Sequence, residues 1–137
     1  MKKYIISFSF LLLLTTMFNG STFAQSSIVS KPDINAMVAF TNADYNMGKI
    51  PFGKPSEYVI TIENISKDSI ILKNVAPQCG CTTPKYKVGE VLLPGESTNV
   101  TLGFNGSSKG AFTKHATITF GNGMRKDVKF YGETYTQ

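Results

Sequence analysis

Histidine and cysteine are scarce in this chain of 137 residues, one and two respectively, and that scarcity closes off most kinds of site chemistry. A closed structural zinc site needs four ligands, and His115, Cys79 and Cys81 do not make four. Nucleophilic hydrolysis needs a base beside the nucleophile; the chain has neither a histidine–carboxylate cluster nor a Gly-x-Ser-x-Gly elbow. Lys49, Lys54, Lys67, Lys73, Lys85, Lys87 and Lys126 are scattered rather than clustered, which argues against a nucleic-acid footprint. No segment after the first keeps an apolar run long enough to span a bilayer, and none sustains a helical period behind a capping box.

What is present begins with an export signal. Lys2 and Lys3 precede an apolar run from Tyr4 through Leu14, and small and polar residues follow, the three parts of a secretory signal peptide. The run is shorter than the roughly 20 residues a transmembrane helix requires. Thr22 and Ala24 are small enough for the signal-protease pockets, so cleavage is expected after Ala24, with the mature chain starting at Gln25. No cysteine follows the run, which argues against a lipid anchor. Losing Lys2 and Lys3 takes the formal charge from +5 to +3, a mild surplus suited to a solvated surface. The destination is the periplasm or the outside of the cell, without a membrane span in the mature chain.

The mature part has the length of one domain. After a polar leader over residues 25–33, its apolar period is two almost throughout, and turn residues recur about every ten positions. Ile34, Ala36, Val38 and Phe40 read as a first strand, and Tyr45 to Ile50 as a short strand or bend before Pro51-Phe52-Gly53-Lys54-Pro55. In Glu57 to Asn64, Tyr58, Ile60 and Ile62 should face a core while Val59, Thr61 and Glu63 face water. Asn64 to Asp68 turns the chain into Ile70, Ile71, Leu72 and Val75. Val91-Leu92-Leu93 leads to Pro94-Gly95-Glu96-Ser97, where proline presets one dihedral and glycine accepts the positive φ of a type II turn. Val100, Leu102 and Phe104 alternate inward, Asn105 to Gly110 loops, and Phe112, Ala116, Ile118 and Phe120 mark another strand. A hairpin at Gly121-Asn122-Gly123 leads to Val128 and Phe130. About seven strands in one domain spell an all-β, immunoglobulin-like antiparallel sandwich over residues 34–137.

The chemical clue is Cys79-Gly80-Cys81-Thr82. Two thiols at this spacing can close a small disulfide, hold a soft ion such as Cu(I), or exchange with another thiol. A loop this short yields only roughly 1.5 kcal/mol of chain-entropy stabilisation, so stability is a poor reason for the pair. Thioredoxin-type catalysis fits badly, because that motif is Cys-x-x-Cys opening a helix in a βαβ unit. The redox or partner-binding candidates are therefore Cys79, Gly80, Cys81 and Thr82, with Cys79 and Cys81 as weak metal ligands. No catalytic residue and no resident cofactor are implied. His115 lies on the parity opposite Phe112, Ala116 and Ile118 and should face solvent, while Met47 and Met124 read as packing. Asn64-Ile65-Ser66, Asn99-Val100-Thr101 and Asn105-Gly106-Ser107 match the N-glycosylation pattern, which matters only in a host with that machinery.

Several of these elements together resemble the secreted proteins grouped as domain of unknown function family 1573, common in Bacteroidetes. The resemblance rests on Met47-Gly48-Lys49-Ile50, Ile62-Glu63-Asn64, Cys79-Gly80-Cys81-Thr82-Thr83-Pro84, Leu93-Pro94-Gly95-Glu96-Ser97 and Lys109-Gly110-Ala111-Phe112, of which the Cys-Gly-Cys-Thr element is the specific part. It implies export and a sandwich similar to major sperm protein and abnormal-spindle-type domains, and it implies no activity. Asp68-Ser69-Ile70 likewise resembles the short O-glycosylation site of Bacteroidetes secreted proteins. The expected role is an interaction or structural module, its partner another envelope protein or a glycan, with thiol-redox or Cu(I) binding at Cys79 and Cys81 as the alternative.

Overall fold

The computed structural model describes residues 32–136. The expected export leader, and most of the polar leader after it, lie outside the described residues. Successive side chains of a strand point to opposite faces, so a period of two buries one face and wets the other. Among the described residues nine strands form, most of them on that pattern: β1 (Val38–Thr41), β2 (Asp44–Pro51), β3 (Ser56–Asn64), β4 (Ile70–Pro77), β5 (Thr82–Lys85), β6 (Glu90–Leu92), β7 (Ser97–Phe104), β8 (Gly110–Phe120) and β9 (Arg125–Tyr135). They make a four-stranded sheet in the order β1-β3-β7-β5 and a five-stranded sheet in the order β2-β9-β8-β4-β6. Facing each other, they form the expected immunoglobulin-like sandwich. Tyr58, Ile60, Ile62, Leu72, Val100, Leu102, Phe104, Ile118, Phe120, Val128 and Phe130 are all buried in one core, joined by Met124.

Three details depart from the expected pattern. Ile34 to Met37 form one helical turn, α1, instead of the start of a strand. Asp33 caps it, accepting from the Asn35 amide at 3.0 Å, and Ile34 and Met37, three apart, both lean on the core. The second departure is β5, an additional strand whose Thr-Thr-Pro-Lys sequence carries no apolar alternation. It is an edge strand, held by β7 on one side only, and an edge tolerates proline. Third, the sandwich is not antiparallel throughout, because β2 runs parallel to β9 with a bulge between Asn46 and Gly48. Most of the chain separates β2 from β9, so no hairpin constrains their direction. Gly95 takes φ 84°, as a type II turn requires.

Aromatic rings fill the end of the core near β2. Tyr45 stacks on Tyr58 with centroids 4.8 Å apart, and Phe130 meets Tyr58 at 5.3 Å. The Tyr58 hydroxyl is buried without a hydrogen-bond partner among the described residues. That burial, aided by the Asp44 carboxylate, pushes the phenol well above its ordinary pKa. An acid whose folded pKa is raised keeps its proton in the native state after the unfolded chain has lost it, so stability falls as pH rises beyond the unfolded value of about 10. Tyr58→Phe is therefore expected to leave stability at neutral pH unchanged or raise it by up to about 1 kcal/mol. It should also flatten the alkaline decline. Denaturant unfolding of both proteins at pH 7 and above pH 10 checks this, and a marked loss of stability at pH 7 would reveal a hydrogen bond that the hydroxyl does make.

Candidate functional site

Pro77 ends β4 in one sheet and Thr82 begins β5 at the edge of the other, so Gln78-Cys79-Gly80-Cys81 is a crossing between the two sheets. Backbone hydrogen bonds pin it on both sides. The Gln78 amide donates to the His115 carbonyl of β8 at 3.0 Å, and the Asn105 amide, just past β7, donates to the Cys81 carbonyl at 3.1 Å. Between these anchors the Thr82 amide turns back to the Cys79 carbonyl at 3.3 Å, closing a tight turn over the doublet. The turn brings the Cα atoms of Cys79 and Cys81 to 5.2 Å, and the sulfurs are joined as a disulfide. Gly80 is exposed, a Cβ there would meet nothing within 4 Å, and it is not among the glycines at positive φ. Its place in the motif is thus not a steric demand of its neighbours.

The doublet lies at a strand end, as expected, but it is half-buried rather than exposed. The reason is the crossing itself, which lays Cys81 against the core on its way between sheets. Thr82 is buried at 4% exposure. Its hydroxyl lies 3.8 Å from the sulfur of Cys79 and 3.8 Å from that of Cys81, within reach of a sulfur hydrogen bond to either. Sequence reasoning found Thr82 by its place in the motif, not by this geometry.

The same turn affects the open edge of β5. Along a strand, amides alternate between its two sides, and the Cys81 carbonyl faces β7, so the amide positions of Thr82 and Pro84 face away from it. Thr82 spends its amide on Cys79, and Pro84 has none. Between them, the open edge of β5 offers no free donor at those two positions to an added strand, a common guard against edge-to-edge pairing.

His115 faces the outer side of β8, paired with Lys129, and is half-buried there rather than free in solvent because its strand neighbours flank it. Asn64 is wholly buried, which removes the first N-glycosylation match from reach. Ser69 is exposed in the turn between β3 and β4. No group of three or more His, Cys, Asp or Glu among the described residues could hold a metal ion.

Because the loop closed by the disulfide is so short, the double variant Cys79→Ser with Cys81→Ser is expected to fold and to melt cooperatively. It should lose about 1.5 kcal/mol at most, or no more than roughly 10 °C in Tm. Calorimetry of the two proteins decides the matter. A variant that does not fold would make the doublet a structural element.

Two facing sheets, with β2 parallel to β9 and a half-buried disulfide where the chain crosses from β4 to β5, define an immunoglobulin-like β-sandwich. The chain belongs to the family described as Protein of unknown function (DUF1573), matched over residues 38–134. Similar solved structures include the ASH/PapD-like domain 7 of human CEP192, at TM-score 0.61 and 10% identity, covering 74% of this chain and 87% of that one. A protein of unknown function from Porphyromonas gingivalis W83 has TM-score 0.61 and 15% identity, over 71% of this chain and 46% of its own. WR4, a major sperm protein family member of C. elegans, has TM-score 0.53 and 7% identity, over 73% and 99%. At these identities the likeness is one of fold. No curated protein matches the sequence. No helix among the described residues is long and apolar enough to cross a membrane.

Proposed function

We propose that the chain is an exported module of the cell envelope that works by holding another protein. The observation that carries this reading is an aliphatic row on the outer face of the five-stranded sheet. Ile71 on β4 and Val91 on β6 are register partners, and they are 44% and 51% exposed; Leu93, two residues past Val91, is 53% exposed. The row borders β6, an edge strand. Exposed aliphatic side chains paired across strands beside an open edge are costly to leave in water, and they fit the apolar centre of a protein interface. A glycan would be gripped instead by aromatic faces, which on this sheet are Tyr131 and Tyr135, far along β9 from the row.

A photo-crosslinking side chain placed at Val91 in cells should capture one protein reproducibly. The same probe at exposed Asn99, on the opposite sheet, should not. Capture at neither position, or a glycan adduct from a probe at Tyr131 alone, would overturn the reading.

A second reading is favoured by the disulfide itself. Half-exposed, and closing a loop too short for much chain-entropy stabilisation, the Cys79–Cys81 pair suits thiol–disulfide exchange with a partner better than a structural staple. This second reading depends on export in particular, because disulfides persist chiefly in oxidising compartments.

A further inference from the structure

We infer that Thr82 and the two cysteines form one exchange site for a dithiol donor, with Cys79 as the sulfur attacked, Cys81 as the leaving sulfur that takes the charge and the Thr82 hydroxyl as the hydrogen-bond donor that stabilises it. The inference rests on the exchange reading and assigns roles within it. Cys81 is held from two directions: its side chain packs on the core and its carbonyl is fixed by the Asn105 amide. Cys79 begins the turn, followed by exposed Gly80 with open space around it. Approach is therefore freer at Cys79 than at Cys81.

In the first step a thiolate of the donor attacks the Cys79 sulfur. The bond between Cys79 and Cys81 breaks, and its electron pair stays on Cys81 as a thiolate. In the second step the donor's other thiol, deprotonated, attacks its own sulfur in the mixed disulfide, releasing Cys79. The donor leaves as a disulfide, its two protons end on Cys79 and Cys81, and the chain is reduced by the two electrons the donor has lost.

A thiolate forming at Cys81 needs a donor, since a charge on a half-buried atom is poorly solvated. Thr82 places a hydroxyl there. Its residue is buried, its oxygen is 3.8 Å from both sulfurs, and its amide is committed to the turn. A hydroxyl equidistant from the two sulfurs can donate to whichever of them carries charge, so it serves the reverse, oxidising direction as well.

The test follows reduction of the full mature chain by dithiothreitol under native conditions. Thr82→Val, which keeps the shape and removes the hydroxyl, should slow reduction at least about tenfold, the value of one hydrogen bond to a charged group. Thr82→Ser should stay within about twofold of wild type. For the roles of the sulfurs, Cys81→Ser should be captured by oxidised glutathione about tenfold faster than Cys79→Ser, as the freer approach at Cys79 requires. If the wild-type disulfide exchanges but Thr82→Val reacts as fast as Thr82→Ser, the role of Thr82 is overturned and the exchange reading stands. If the wild-type disulfide resists dithiothreitol until the chain unfolds, the exchange reading itself is overturned.

Discussion

Replacing Asn64 by Ala is expected to cost about 2–5 kcal/mol, a large part of the roughly 5–15 kcal/mol that holds a domain of this kind. Asn64 ends β3 and is 0% exposed. Its side-chain amide donates to the Asp68 carbonyl at 2.8 Å and to the Leu92 carbonyl at 2.9 Å. Its side-chain oxygen accepts from the Ser66 amide at 3.0 Å and from the Ser66 hydroxyl at 2.7 Å. The backbone is equally engaged, with the Asn64 amide donating to Glu96 and its carbonyl accepting from Gly95. One residue thus joins the β3–β4 turn, the end of β6 and the Pro94-Gly95 turn. Truncation strands the Leu92 carbonyl, whose bond to Asn64 is buried, and removes the part-buried partner of Ser66 and Asp68, and a stranded buried group costs about 1–3 kcal/mol. Ser66→Ala, which removes one partner only, should cost about 1 kcal/mol. Asn99→Ala, exposed in β7, should stay within about 0.5 kcal/mol. Urea unfolding of the three variants gives the comparison; an Asn64 variant as stable as the Asn99 variant would show that the network carries no weight.

Gly106→Ala should be at least as damaging, at about 3 kcal/mol or more. Gly106 sits at φ 73°, a conformation that costs an L residue roughly 1–2 kcal/mol. A Cβ there would also lie 2.6 Å from the Lys54 carbonyl oxygen and 2.9 Å from the Lys54 nitrogen, atoms of backbone that cannot swing aside. The Gly106 carbonyl accepts from the Gly53 amide at 3.0 Å, so the two loops are in direct contact. The neighbouring Asn105 amide holds Cys81. Displacing this loop should therefore loosen the doublet as well as lower Tm, and the same variant should show faster reduction of the disulfide. A Tm within about 4 °C of wild type would contradict the close approach.

Alternation made the core legible residue by residue, because Tyr58, Ile60, Ile62, Val100, Leu102 and Phe104 lie on long strands whose inner face has no polar interruption. It failed where another force sets the backbone. Ile34, Ala36 and Val38 satisfy a period of two while Ile34 and Met37 satisfy a helical spacing, and the Asp33 cap goes with the second. Thr82 to Lys85 carry no apolar signal, since an edge strand covered on one side needs none. The direction of β2 was invisible because nothing local encodes which distant strand it will meet.

At the doublet, spacing was enough to nominate Cys79, Gly80, Cys81 and Thr82. The burial of Thr82 and its equal reach to both sulfurs come from the crossing between sheets, which no short motif describes. The importance of Asn64 was likewise hidden. In the sequence it is one residue of a turn, and its partners at Leu92 and Glu96 are about thirty positions away.

Export underlies both functional readings and an oxidised doublet underlies the exchange reading, and one measurement addresses the two premises together. The protein is purified from the envelope of its native cell under acid quench, and its intact mass is recorded after alkylation, with and without prior reduction. The account predicts a chain that begins at Gln25, takes no alkyl group before reduction and takes two after it. A chain that still begins at Met1, or one that is alkylated at both Cys79 and Cys81 without reduction, would contradict it.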